Sequence, residues 1–234
     1  MYDDRDSLPV IDTQLFGGLP EVELRRLVAV ARRRRFDRSE VVFHRGDPAD
    51  NLHLVVKGRF TARVTTQLGD TVTVAIHSPG EAFGELALVE AGALRSTTVA
   101  AVEAGETLAI NRDDFDRLRR EYPEVNEVLV RLLAARVRRS SDRLLEALFV
   151  PAETRVLRRL RELAQLYGQS SPGTVVPLTQ DDIAGLAATS RATANRVLRA
   201  EQRRGTVRLA RGQTLVLDPA DISRRAGSAA LDRA

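Results

Sequence analysis

The chain has 234 residues, of which 43% are hydrophobic and 29% are charged, as expected for a globular protein with one large or two modest domains. It contains no cysteine, which excludes a disulfide framework, an iron–sulfur cluster and a thiolate metal site. No apolar run approaches the roughly 20 residues of a membrane-spanning helix, and the N-terminal residues lack the apolar centre of a signal peptide. We therefore expect a cytoplasmic protein.

Positive charge is spread unevenly along the chain. The net charge is only +4, and Lys57 is the only lysine, so nearly all the positive charge is arginine. From Arg131 to the C-terminus, arginines are dense and interleaved with apolar residues. A basic C-terminal half is typical of a protein with a nucleic-acid partner.

The N-terminal residues predict a tail followed by a helix. Residues 1–14 have the pattern of a loose tail, and Leu19-Pro20-Glu21 opens a helix because proline suits a first turn. Four arginines follow at 32–35. They are either a nucleic-acid patch or a solvated helix end that runs into a strand, and we favour the second.

Short β-rich segments separated by glycine-containing turns occupy the region from Phe36 to Asn111. Many short strands with regular glycine turns favour a β-sandwich or β-roll. The predicted strands are 41–43, 52–56, 60–65, 71–76, 97–102 and 107–110.

The segment 83–101 combines groups that suit a nucleotide. Gly84, Glu85 and Leu86 open a short helical turn, whose free N–H groups can hold an anion. Arg95 offers a charged fork for phosphate, and Ser96 offers a hydroxyl donor. Glu85 accepts hydrogen bonds, so its natural partner is a sugar hydroxyl. The alternative is a surface hairpin with an ordinary Arg-Ser pair.

A long helix is predicted at 124–149, which contains no glycine or proline and has apolar residues at threes and fours. Alone this helix would expose apolar surface. We therefore expect it to pack in parallel against the same helix of a second copy of the chain, as a two-helix seam. The alternative is a helix packed only on its own domain. The apolar pattern lapses at Arg136 and again at 138–142.

A break follows at 150–152, because the residue before a proline is disfavoured in the α region. We place a hinge and a domain boundary there. A helix is predicted at 153–167, and a glycine- and serine-rich loop at 168–176.

The next segment has the pattern of a winged helix-turn-helix. Residues 179–182 form a capping box before a short helix, Ser190 caps a second helix, and a hairpin turned at Arg211-Gly212 follows. Arginine is the residue that most often reads guanine in the major groove. The candidate DNA contacts are Thr179, Gln180, Ser190, Arg191, Thr193, Asn195, Arg196, Arg199 and Arg211.

Two of these motifs resemble one known family. Phe-Gly-Glu-Leu-Ala-Leu followed by Arg-Ser-Thr, with ten positions from Glu85 to Arg95, resembles the phosphate-binding cassette of the cyclic-AMP receptor protein family, which includes FNR-type regulators. Residues 190–196, Ser-Arg-Ala-Thr-Ala-Asn-Arg, resemble its Ser-Arg-Glu-Thr-Val-x-Arg pattern. The resemblance extends over about residues 15–220, and the absence of cysteine excludes the oxygen-sensing FNR branch.

The resemblance implies an α+β protein that regulates transcription and is not an enzyme. Such a protein is a homodimer that binds pseudo-palindromic DNA under allosteric control by cyclic AMP, with no catalytic cofactor. Its implied parts are a tail at 1–14, a cyclic-nucleotide-binding β-roll at 15–123, a dimerisation helix at 124–149, a hinge at 150–152, a winged helix-turn-helix at 153–222 and a tail at 223–234.

The resemblance also implies residue roles. The cyclic nucleotide is expected to contact the cassette residues Gly84, Glu85, Leu86, Arg95 and Ser96, together with Ser140 and with Ser141 of the partner subunit. Serine at both helix positions leaves the identity of the base open. Ala192 replaces a glutamate of the family pattern, so we expect an altered half-site. The loop 168–176 either contacts RNA polymerase or is a plain linker.

Two alternatives remain open from the sequence. One is a family member with a different effector, or with none, that binds DNA constitutively. The other is an enzyme gated by a nucleotide domain, but the chain lacks G-x-S-x-G, H-E-x-x-H and Walker patterns. His44, His53 and His77 lie in the strand region, where we assign them ordinary roles rather than a metal site.

Overall fold

The computed structural model describes residues 21–65, 71–90 and 92–227. The chain forms two compact units: Met1–Val64 with Ala75–Arg139, and Thr65–Val74 with Ser140–Ala234. Several predictions lie outside the described residues, namely the tail 1–14, the helix start at Leu19-Pro20, the glycine-containing turn between the predicted strands 60–65 and 71–76, and positions 228–234 of the C-terminal tail.

The N-terminal half of the chain is built mainly of short strands, as its glycine-punctuated pattern predicts. All six predicted strands are present, with bounds that differ by at most two residues. The elements are α1 (Glu21–Val30), β1 (Arg32–Phe36), β2 (Val41–Phe43), β3 (Asn51–Lys57), β4 (Phe60–Thr65), β5 (Thr71–His77), β6 (Ala82–Phe83), α2 (Leu86–Val89), β7 (Thr98–Ala101), β8 (Gly105–Asn111), α3 (Arg112–Glu121) and α4 (Val125–Phe149).

These strands form two four-stranded sheets, ordered β1-β8-β3-β6 and β2-β7-β4-β5. The pairs β1–β8, β3–β8, β3–β6, β2–β7 and β4–β7 are antiparallel. The turn from β3 to β4 needs Gly58, which has φ +75° and whose added Cβ would lie 2.7 Å from the Cα of Gly105. Two short antiparallel sheets are the arrangement that the pattern favours.

The side chains of β3 alternate between two environments, as a strand requires. Leu52 and Leu54 pack with β8, α3 and α4 in one hydrophobic cluster, which includes Val125 and Leu129 of α4. His53 points the other way, into a group of aromatic rings. The first half of α4 is thereby fixed to the strands.

The run of four arginines, 32–35, forms β1 itself, which corrects the prediction of a solvated helix end. The preceding helix ends at Val30, and β1 pairs antiparallel with β8. Arg33 and Arg35 both form ion pairs with Glu106 of β8. Strand pairing and this shared carboxylate explain why the arginines are extended.

The C-terminal half is helical with a small sheet. Strand β9 pairs with β11, so the predicted loop 168–176 ends in a strand, and α8 carries the chain helically through Arg225, inside the predicted tail. The elements are α5 (Ala152–Gly168), β9 (Thr174–Val176), α6 (Gln180–Leu186), α7 (Arg191–Arg204), β10 (Val207–Ala210), β11 (Gln213–Val216) and α8 (Pro219–Arg225), with sheet order β10-β11-β9.

The predicted helix break at 150–152 is confirmed, but the compact units divide earlier, between Arg139 and Ser140 of α4. The C-terminal end of α4 is held by α5 through a buried carboxylate. Glu146 accepts a hydrogen bond from Arg158 at 3.0 Å and forms a second ion pair with Arg159.

Arg155 of α5 explains why the break does not separate the two helices. Its Nη1 donates to the carbonyl oxygen of Val150 at 2.5 Å, and its Nε donates to that of Ala187 at 2.8 Å. One buried guanidinium therefore satisfies carbonyl groups both at the end of α4 and at the end of α6.

Candidate functional site

The segment between β6 and α2 brings the cassette residues of the first unit together. Gly84 has φ +81°, a conformation that favours glycine. A Cβ on this residue would lie 2.6 Å from Nη1 of Arg95 and 3.1 Å from the carbonyl oxygen of Asn51. Glycine is therefore required both by its backbone angle and by the approach of the guanidinium.

Arg95 is held in a fixed position inside the first unit, where only 5% of its surface is exposed. Its Nη1 and Nη2 each donate at 2.8 Å to Asn51, one to the carbonyl oxygen and one to Oδ1. The guanidinium lies 4.1 Å from the ring centre of Phe43, and Nη2 lies 3.6 Å from Oδ1 of Asp50. Burial lowers the pKa of Arg95 below its usual range, against the opposing effect of nearby carboxylates.

Glu85 is also buried, and its partner comes from α4. Oε1 of Glu85 lies 2.9 Å from Nη1 of Arg136. This pairing explains part of the polar interruption that the sequence shows in the long helix. A buried carboxylate requires such a counter-charge.

The other predicted ligand residues are more exposed. Ser96 follows the buried Arg95 and is exposed, and Leu86 exposes 38% of its surface at the start of α2. Ser140 and Ser141 are exposed on α4, in the second unit.

Sequence reasoning missed two residues of this site, Asn51 and Arg136. Asn51 lies 44 positions from its partner Arg95, and no local pattern indicates such a pairing. Arg136 had a usable signal, because it lies in an apolar helix one turn before Ser140.

His53 packs against Phe83, the residue that precedes the cassette glycine Gly84. Its ring stacks on Phe83 with centroids 5.1 Å apart, and its Nδ1 shares a 2.9 Å hydrogen bond with Oγ1 of Thr107. Burial, together with Arg95 and Arg34, lowers the pKa of His53 to about 3. The imidazole is thus neutral at physiological pH and belongs to the core, one of the ordinary roles expected from the sequence.

The second unit carries the predicted helix-turn-helix on α6 and α7. The capping box of α6 is confirmed: Oγ1 of Thr179 accepts from the backbone N–H of Asp182, and Oδ2 of Asp182 accepts from that of Thr179. The N-cap of α7 is confirmed too, since Oγ of Ser190 accepts from the backbone N–H of Thr193 at 3.2 Å. Each cap satisfies helix N–H groups that otherwise lack partners.

The polar side chains of α7 contact the first turn of α6. Asn195 donates to Oε1 of Gln180, and Arg191 forms an ion pair with Asp181 at 3.1 Å. Arg199 donates from Nε to Oδ1 of Asn195 at 2.9 Å. Among the remaining predicted DNA contacts, Arg196 is exposed on α7 and Arg211 is exposed at the hairpin turn.

A buried ion pair joins α7 to α8. Only 1% of the surface of Glu201 is exposed, and its two oxygens accept from Arg225, while Oε2 also accepts from Thr206 at 2.7 Å. Burial alone would raise the pKa of Glu201, but the hydrogen bonds from Arg225 and Thr206 lower it below its usual range. This network orients the helix that carries the predicted DNA contacts.

Two family models match this chain, one over each predicted functional region. The model "Cyclic nucleotide-binding domain" matches residues 33–122, and "Crp-like helix-turn-helix domain" matches residues 154–225. The chain belongs to the cyclic-AMP receptor protein family. It is accordingly a DNA-binding transcriptional regulator with a cyclic-nucleotide-binding domain, and not an enzyme.

Curated members of the cyclic-AMP receptor protein family match most of the chain. "Cyclic AMP receptor protein" of Thermus thermophilus is 35% identical over 206 residues, which are 88% of this chain and 93% of that protein. "CRP-like cAMP-activated global transcriptional regulator" of Mycobacterium tuberculosis is 33% identical over 196 residues, covering 82% and 86%.

Solved structures of the family share the fold. The catabolite activator protein of Thermus thermophilus is 34% identical with a TM-score of 0.53, covering 91% of this chain and 98% of that one. The c-di-GMP responsive global regulator CLP of Xanthomonas campestris has a TM-score of 0.72 at 24% identity, covering 85% and 99%. The predicted α+β architecture is confirmed. No helix in the described ranges is long and apolar enough to cross a membrane.

Proposed function

We propose that this regulator is a homodimer whose DNA binding is controlled allosterically by cyclic AMP. The observation that carries the proposal is a pair of buried cassette atoms that make no hydrogen bond within the described residues. Nε of Arg95 has no hydrogen-bond partner there, and Oε1 of Glu85 has only its ion pair with Arg136. Buried polar atoms are almost always satisfied in native proteins. A ribose hydroxyl would supply a donor to Glu85, and a phosphate oxygen would supply an acceptor to Arg95.

Arg136 links this site to α4. It already pairs with Glu85, so an arriving ribose hydroxyl shares or replaces this ion pair. Ser140 lies one helical turn further along α4, on the same face as Arg136. We propose that Ser140, and Ser141 of the partner subunit, meet the base. Ligand binding would then act directly on the helix that we assign to dimerisation.

The dimer assignment rests on the exposed apolar face of α4. Val130, Val137 and Leu144 follow one another at intervals of seven residues, and each exposes more than 60% of its surface. Leu148, four residues later, exposes 66%. Apolar residues repeated every seven positions are the pattern of a two-helix seam. A second copy of α4 presents the same apolar face, so the two faces can pack against each other.

The mechanism we propose is a population shift. Cyclic AMP binds one arrangement of the dimer more tightly and so raises the fraction that binds DNA. In that arrangement the two α7 helices lie roughly 34 Å apart, one turn of a pseudo-palindromic duplex. Because Ala192 offers no acceptor to a cytosine amine, the preferred half-site differs from that of family members with glutamate there.

The nucleotide assignment is tested by calorimetric titration of nucleotide-stripped protein with cyclic AMP and cyclic GMP. Arg95→Ala should weaken cyclic AMP binding by at least about 100-fold, since two charge-assisted hydrogen bonds contribute roughly 3 kcal/mol or more. Arg59→Ala is the matched control. Arg59 is partly buried and pairs with Glu103 at 2.8 Å, outside the cassette.

Saturable binding of one cyclic AMP per chain, lost in Arg95→Ala but kept in Arg59→Ala, would support the proposal. Equal binding by both variants would contradict the cassette assignment. If the folded protein binds neither nucleotide, the effector is a different molecule or DNA binding is constitutive. Gel-shift titration with and without the nucleotide separates these two cases.

The dimer is tested by sedimentation equilibrium. Val137→Arg places a charge in the seam and should yield monomers at concentrations where the parent chain is dimeric. Val175→Arg is the control, because Val175 exposes 46% of its surface but lies on β9. A monomeric parent chain, or a dimer that survives Val137→Arg, would overturn the seam.

A further inference from the structure

The first turn of α6 contacts the first residue of α7 through an ion pair. Nε of Arg191 lies 3.1 Å from Oδ1 of Asp181. That oxygen is shielded from solvent and has no hydrogen-bond partner among the described residues, so Arg191 is the cation that compensates it. The Arg191 side chain is 76% exposed, and its Nη1 and Nη2 donate no hydrogen bond to any of the described residues. The far edge of the guanidinium is therefore available to a ligand.

A second contact repeats this arrangement further along α7. Asn195 donates to Gln180, and Arg199 donates to Asn195 from Nε. As in Arg191, the contact uses Nε rather than Nη1 or Nη2. Positions 191, 195 and 199 are four apart and form one stripe of the helix. Two successive residues of α6 thus support this stripe.

Recognition of guanine requires the Nη1 and Nη2 groups of an arginine, so it matters that Asp181 contacts Arg191 at Nε. The major-groove edge of guanine presents two acceptors, N7 and O6, and one arginine reads both with two N–H groups. An exposed arginine populates many rotamers, and ordering it on binding costs conformational entropy. A carboxylate at Nε restricts the plane of the guanidinium and leaves Nη1 and Nη2 for the base.

We propose that Asp181 is a positioning residue that sets Arg191 for guanine recognition and so determines specificity without a base contact. This inference rests on the proposed role of α7 in reading DNA. The carboxylate has a second effect, because a negative charge at this surface repels phosphates. Asp181 therefore lowers affinity for all DNA while it sharpens discrimination at one base pair.

The test compares Asp181→Ala with Asp181→Asn. Both remove the charge, but asparagine keeps an oxygen at the position that lies 3.1 Å from Nε of Arg191. The preferred half-site is first selected from random DNA with the full-length parent protein, with and without cyclic AMP. Binding is then measured to that site and to duplexes carrying each single base-pair change. Arg191→Ala identifies the base pair that Arg191 reads, since discrimination there should disappear.

Both Asp181 variants should bind unrelated DNA more tightly, and to the same extent. Only Asp181→Ala should lose discrimination at the Arg191 base pair, by about fivefold to tenfold, as expected when a bidentate contact is partly disordered. Adding Asp181→Ala to Arg191→Ala should cause no further loss. The capping box formed by Thr179 and Asp182 is retained, and thermal melting verifies that α6 still folds.

Other results overturn the inference. If Asp181→Ala discriminates as well as Asp181→Asn, the carboxylate does not position Arg191. If both lose discrimination equally, charge rather than geometry is responsible. If Arg191→Ala alters discrimination at no base pair, the assignment of Arg191 as a reading residue fails, and the role of Asp181 fails with it. A parent protein that selects no sequence contradicts the proposed reading function itself.

Discussion

His53 connects the stability of the nucleotide-binding domain to pH. It is 2% exposed, stacks on Phe83 just before the cassette, and has its pKa lowered to about 3. Burial is the main cause, and the positive charges of Arg95 and Arg34 add to it. Protonation of His53 would place a charge beside the guanidinium that we assign to phosphate.

The sign of the effect follows from the direction of the shift. The unfolded chain takes up a proton near pH 6.5, whereas the folded domain resists it until about pH 3, so acid favours the unfolded state. The contribution of His53 is complete above about pH 6.5 and declines as the pH falls toward about 3. Between about pH 7.5 and about pH 5, this residue alone should lower the free energy of unfolding by about 2 kcal/mol.

The measurement is native-state hydrogen exchange of the full chain, followed in peptides from β3 and β8 over this pH range. Carboxylates also titrate there, so the parent chain is compared with His53→Phe, which keeps an aromatic ring but cannot be protonated. The loss of the hydrogen bond to Thr107 gives an offset that does not depend on pH.

The expected result is a pH-dependent loss that is about 2 kcal/mol smaller in His53→Phe than in the parent chain. Parallel pH profiles for the two proteins would refute the reasoning. They would show that His53 has the same pKa in the folded and unfolded states, and hence that the ring is not desolvated.

Two further predictions concern the cassette and the winged helix. Gly84→Ala should reduce cyclic AMP binding at least about tenfold in calorimetry, because its Cβ would lie 2.6 Å from Nη1 of Arg95, the residue that we assign to phosphate. Gly46→Ala, with φ +91° and no atom within 4 Å, is the control for backbone strain alone. Glu201→Gln should destabilise the second unit by about 2–3 kcal/mol in thermal unfolding, since Arg225 loses its buried carboxylate partner and keeps only Asp221. Arg204→Gln at the exposed edge should change stability by less than about 0.5 kcal/mol. Unchanged binding in the first pair, or equal melting in the second, would contradict these assignments.

Some features of this chain depend on neighbouring residues, and others depend on residues far apart in sequence. The strands, the long helix and the capping box are specified by neighbouring residues. Glycine turns delimit the strands, apolar periodicity marks the helix, and the spacing from Thr179 to Asp182 defines the capping box. These features are confirmed with bounds that differ by about two residues. The cassette is also compact in sequence, so Glu85 and Arg95 could be identified without knowledge of the fold.

The partners of these residues depend on the tertiary structure. Asn51 meets Arg95 across 44 positions, and Arg136 reaches Glu85 from another helix. No local pattern indicates the pairing of Asn51, and the polar break in the apolar helix marks Arg136 without indicating its partner.

The sequence by itself therefore determined the class of protein, its motifs and most of its elements, because hydrophobic periodicity, turns and caps are local properties. Only the tertiary structure decided that 32–35 is a strand, that Glu201 pairs with Arg225, and that Asp181 holds Arg191. The physical reason is that an ion pair or a strand pairing depends on which distant elements fold against each other. Burial then gives these contacts their strength, because desolvation makes an unpaired charge costly.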